Sequence, residues 1–197
     1  MEISNLSERS KRVINLAEKL AKDSNHQMFM PEHIVTVIIN TEKEFFKILV
    51  NKAGINFDLI NKELIKLLDK LPIVTSNNGI KSLILGEDVK ELFKISKSEL
   101  KVFDDVFVTL EIIILSISKL KNNACSIVFN EVGLNAHRIR DAIFSIRKGR
   151  KASTEDTENG YNALSKYTHD FTKFASEGKI DPVIGRDDEI RRTIQVL

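Results

Sequence analysis

The chain has 197 residues, of which 30 are basic and 28 acidic, giving a net charge of +2. So balanced a charge gives no global pull toward nucleic acid or an anionic membrane, and a 42% hydrophobic content suits one soluble domain with a real core. Cys125 is the single cysteine, so no intrachain disulfide can form, which fits a reducing compartment. The first twenty residues lack the apolar core of a signal peptide. The longest apolar stretch, Val106 to Ile117, is broken by Thr109, Glu111 and Ser116 and is too short for a membrane span. A cytoplasmic location is expected.

The first helical signal is the stripe Val13, Leu16, Ala17 and Leu20, spaced as one face of a helix. Pro31 opens a second helix carrying Ile34, Val35, Ile38 and Ile39, since the first helical turn does not need the N–H that proline lacks. A third helix over about 42–52 ends at Gly54, a residue able to take the left-handed C-cap conformation. Asn56 caps a fourth, with Phe57, Ile60, Leu64 and Leu67 inward, and Pro72 stops it. The segment 73–84, rich in Ser, Thr, Asn and Gly, reads as a loop. Helices then restart near Glu87, Thr109, Asn123 and Asn135, and no segment shows the alternation expected of a strand.

The restart is a repeat. NKAGINFDLI (51–60) lies over NEVGLNAHRI (130–139) at a shift of 79, and FMPEHIVTVII (29–39) over FVTLEIIILSI (107–117) at a shift of 78. Matched glycines and caps fall at matched helix ends. Two four-helix units, neither able to bury its apolar face alone, are expected to pack as a pseudo-two-fold pair. The expected fold is therefore all-α, with about eight helices in repeats 1–72 and 82–147. A flexible, charge-mixed linker over 148–162 and a partial helical segment over 163–197 follow. Asp187 caps a last helix with Asp188 and Glu189 in its first turn.

The residues carry little chemistry of their own. His26, His33, His137 and His169 have no partner at a metal-ligand spacing and read as ordinary surface or interface histidines. No GxxxxGK[ST] phosphate loop and no GxSxG elbow occurs, so no catalysis is expected from these residues. Cys125, between Ala124 and Ile127, reads as a packed thiol. Arg147, Lys148, Arg150 and Lys151 lack aromatic interleaving and read as solvated linker, so nucleic acid is not an expected partner.

The segment ALSKYTHDFTKFASEGKIDPVIGRDDEIRRTIQVL (163–197) resembles the start of the first AAA+ module of two-ring Clp ATPases, and most closely that of ClpB-type disaggregases. PEHI (31–34) and AGIN (53–56) resemble the Clp N-terminal repeat domain. The resemblance covers essentially the whole chain. It implies an N-terminal domain that captures apolar segments of unfolded or aggregated polypeptides and passes them to a hexameric ATP-driven pore, in cooperation with the DnaK chaperone system. An adaptor-docking domain of a protease-coupled unfoldase is the alternative.

The resemblance also implies site residues. Ser7, Asp105 and Glu111 match polar positions of substrate handling, with helix capping as the plainer role. Asp105 and Glu111 are expected at a charged rim that favours segments carrying Lys or Arg. Leu92, Phe93, Ile95 and Ile112 are candidate linings of an apolar groove, with core packing as the plainer role. Val183 and Ile184 match adenine contacts of the longer protein, whose ATP and magnesium chemistry needs motifs absent from these residues. Glu99 departs from the apolar residue expected in the fifth helix. Taken alone, the piece is expected to be a monomer.

Overall fold

The computed structural model describes residues 5–74, 82–156, 171–176, 178 and 185–196. Its first compact unit spans 1–161 and holds eight helices among the described residues: α1 Glu8–Asp23, α2 Pro31–Thr41, α3 Lys43–Lys52, α4 Phe57–Leu68, α5 Glu87–Phe103, α6 Leu110–Ser118, α7 Ala124–Glu131 and α8 Ala136–Arg147. The second unit, 162–197, shows α9 Phe171–Ser176 and α10 Asp187–Val196.

The helix ends sit where the side chains dictate. Asn56, Asn123 and Asn135 each accept a backbone N–H from the first turn of α4, α7 and α8. Gly54 and Gly133, in matched positions after α3 and α7, have φ of +78° and +80°, the region where a Cβ is strained. The inward face of α1 is Ser10, Val13, Ile14, Ala17 and Ala21, whereas Leu16 is exposed and Leu20 half-buried. The expected stripe is therefore rotated toward the small residues, which let α1 lie close on α2.

α2 and α6 are buried almost all round and form the centre of the unit. The outer helices exchange partners across the repeats, because α3 packs on α8 and α4 on α7. Four phenylalanines, Phe29, Phe46, Phe93 and Phe129, fill the core.

The all-α expectation needs one small amendment. Met28–Phe29 (β1) and Ile84–Leu85 (β2) pair in parallel, Met28 with Ile84 and Phe29 with Leu85. The counterpart is a parallel bridge from Leu6 to Val108. Gly86 N–H donates to the Phe29 carbonyl at 3.0 Å, and Ser7 N–H to the Val108 carbonyl at 3.0 Å. These two bonds are the same contact under the shift of 79. Each repeat thus lends its leading segment to the other, and strands two residues long leave no alternation to read.

Residues 148–156, expected as part of a flexible linker, belong to the first unit. Ala152 is fully buried, donates its N–H to Asp105 Oδ1 at 2.7 Å, and accepts from Val106 and Phe107.

Candidate functional site

Two constellations flank the seam between the repeats, one polar and closed, one apolar and open. The polar one begins at Ser7. Its hydroxyl accepts the Ser10 N–H at 3.1 Å as the N-cap of α1, and the residue is fully buried. The bridge from Leu6 to Val108 brings it beside the loop leading into α6. There Arg147, at the end of α8, donates to Asp105 Oδ2 at 2.6 Å, to Thr109 Oγ1 at 2.9 Å and to Glu111 Oε2 at 3.0 Å. Its guanidinium also lies 5.2 Å from the Phe103 ring. Arg147, Asp105 and Glu111 side chains are 3%, 0% and 1% exposed.

The structure therefore brings Ser7, Asp105 and Glu111 together, but not as a rim. A substrate lysine has no route to carboxylates already enclosed with this chain's own arginine. A buried pair is held by such geometry, because each charge left alone would be heavily penalised. The charged rim expected from sequence is corrected to an internal clasp that ties α8 and residue 152 to the start of α6.

Leu92, Phe93 and Ile112 are at most 2% exposed, and Ile95 packs half-buried on the same core. Leu92, Phe93 and Ile112 are thus core residues, with no surface left to line a groove. Glu99 is nearly buried and satisfied, taking Arg140 at 2.9 Å on one oxygen and Lys119 on the other. Burial pushes its carboxyl up, but the hydrogen bonds and charges of Lys119 and Arg140 outweigh that and hold it below the usual carboxylate range. Val183 and Ile184 lie outside the described residues.

The open constellation lies beside β1. A pocket of about 220 Å³ is lined by His26, Gln27, Met28, Met30, Leu71, Pro72 and Val74. Extended backbone around β1 sends alternate side chains to one side, so His26, Met28 and Met30 share this wall. Around it Met28, Ile73 and Ile84 stand 44%, 62% and 48% exposed. Thioethers adapt to irregular apolar guests, which suits a promiscuous surface.

The wall is braced by a pair of histidines that sequence reading treated as partnerless. His33 Nδ1 lies 3.0 Å from the Met30 N and 3.1 Å from the Met30 carbonyl oxygen, so it accepts from the one or donates to the other according to its tautomer. Its Nε2 is 2.9 Å from His26 Nδ1. Both rings are buried, and burial lowers both pKa values, that of His33 to about 4. The two bridges and the starts of α2 and α6 all follow a shift of 79, so the shift of 78 expected over 29–39 is corrected, and Glu111 matches Glu32, the residue before His33. The alternation H-x-M-x-M just before Pro31 was the available signal for this wall, but the bonds closing the pocket span up to 49 residues, from Asn25 to Val74.

The described residues hold no group of three or more His, Cys, Asp or Glu placed for a metal ion. Burial pushes the Cys125 thiol well up, so it is not a nucleophile at neutral pH. No described helix is long and apolar enough to cross a membrane.

Two seam-sharing four-helix repeats define the class, and the family model of the Clp repeat (R) N-terminal domain matches residues 5–132. The chain belongs to this family. Over all 197 residues it is 37% identical to the chaperone protein ClpB of Rhizobium meliloti, covering 22% of that protein. The corresponding figures for ClpB of Rickettsia conorii are 39% over 197 residues and 23%. The chain thus spans less than a quarter of the length of these relatives. The crystal structure of the Hsp104 N-terminal domain from Candida albicans has the same fold, with a TM-score of 0.66 at 17% identity, over 77% of this chain and 97% of that one.

Proposed function

We propose that this chain is the substrate-engaging N-terminal domain of a ClpB-type ATP-dependent disaggregase. It binds exposed apolar segments of unfolded or aggregated polypeptide and delivers them to a hexameric pore. The observation that carries this reading is the open apolar pocket beside β1, on a chain that matches ClpB chaperones from end to end. Burying one leucine- or phenylalanine-sized side chain there contributes roughly 1.5–3 kcal/mol before ordering costs. Single contacts are therefore weak and unselective, as capture of irregular clients requires. Six tethered copies above one pore raise the local concentration of sites without any new contact.

On this reading the domain itself is not an enzyme. Val183 and Ile184 meet adenine only in the longer protein, where ATP and magnesium act, and cooperation with the DnaK system belongs to that protein as well. The cytoplasm is the compartment.

Met28→Asp in the longer protein tests the reading. Met28 is half-exposed, so the substitution leaves the core intact. Refolding of a large aggregated client should fall several-fold while basal ATP hydrolysis is retained. Undiminished refolding rejects the pocket as the capture site.

A further inference from the structure

We propose that residues 150–156 form a releasable strap, docked on the clasp around Asp105. Ala152 is the plug. It has no exposed surface, its N–H meets Asp105 Oδ1 at 2.7 Å, and its carbonyl accepts Val106 N–H at 3.0 Å and Phe107 N–H at 3.2 Å. A second anchor lies at Glu155, whose carbonyl accepts Glu8 N–H at 3.1 Å and whose carboxylate meets Lys11 at 3.0 Å. Lys151 pairs with Asp104 beside the plug.

The strap is built to open without unfolding what it rests on. Lys151, Ser153, Thr154, Glu155 and Asp156 are all exposed, so the buried contribution comes from one methyl group. Segments with so little buried surface open at the low end of local stability. Asp105 grips Arg147 with one oxygen and the strap with the other, so the ion pair survives release. The pairs of Lys11 with Glu155 and of Lys151 with Asp104 are exposed, and salt screens them. The inference rests on the geometry of the first unit alone and holds whatever that unit binds.

Backbone amide exchange of the 197-residue chain tests it, with Ala152→Trp, which the closed site cannot accept, and Ala152→Pro, which stays small but removes the N–H. Both variants should speed exchange at Glu8, Val106 and Phe107 together, by tenfold or more, with α2 and α6 as protected as before. In the unaltered chain, added sodium chloride should speed the same three amides in step. Unchanged exchange at those amides in both variants overturns the proposal. So does a loss of protection in α2 and α6 alongside them, which makes residues 150–156 part of the fold rather than a strap.

Discussion

Arg147 is the residue on which the second repeat closes. Its side chain supplies the positive charge for Asp105 and Glu111 and a donor for Thr109. Arg147→Ala leaves two enclosed carboxylates facing each other and should cost about 3–5 kcal/mol, read from urea unfolding. Arg147→Lys keeps the charge but cannot fork between two acids, and should recover part of that loss. His33 gives the pH dependence of the first repeat. Its folded pKa, lowered to about 4, lies below the ordinary value of 6.5, so the unfolded chain binds the proton more readily. The contribution is complete above pH 6.5 and is lost as pH falls from 6.5 toward 4, of the order of 3 kcal/mol in all. Glu32 opposes this, since burial pushes its carboxyl up and favours the protonated fold. The clean measurement is therefore the difference between the chain and His33→Gln. The variant's stability should fall less steeply between pH 6.5 and pH 4, and parallel curves would contradict the assignment.

Elements show what the sequence can and cannot reveal. Caps and stops are local, so Asn56, Asn123, Asn135 and the two glycines were readable without the fold. Gly54→Ala and Gly133→Ala should each cost about 1 kcal/mol, because both residues hold positive φ, while a Cβ would meet nothing at Gly54 and only ordinary contacts with Arg138 and Ile55 at Gly133. Gly86 is different. A Cβ there would lie 2.6 Å from Met30 Sδ and 2.7 Å from the Phe29 carbonyl. Gly86→Ala should cost about 1–3 kcal/mol and loosen the pairing of β1 with β2, seen as faster exchange of the Gly86 amide. Nothing near Gly86 in the sequence announces this, because its neighbours come from 56 residues upstream. For the same reason Leu92, Phe93 and Ile112 could not be sorted into core or groove. Helical spacing says that a face is buried but not whether protein or guest buries it. Asp105 and Glu111 stood out in the sequence as charges beside an apolar helix, yet their partner stood 42 and 36 residues away and was counted with the linker.

The whole unit is two repeats that complete each other. Exchange of leading segments and of outer helices makes the seam the core, and the open apolar pocket lies at its margin, beside β1. There the pocket walls, the exposed Met28, Ile73 and Ile84, and the histidine brace meet. The strap sits at the other bridge, where the same geometry is closed by charge. The central claim is that the margin beside β1 receives apolar polypeptide. It is tested most directly by titrating an unfolded, apolar peptide into the isotope-labelled chain and following its backbone amide resonances. Shifts concentrated at residues 26–30, 71–74 and 84–85, and abolished by Met28→Asp, are the result the account predicts. Binding that leaves those resonances still while moving others would contradict it.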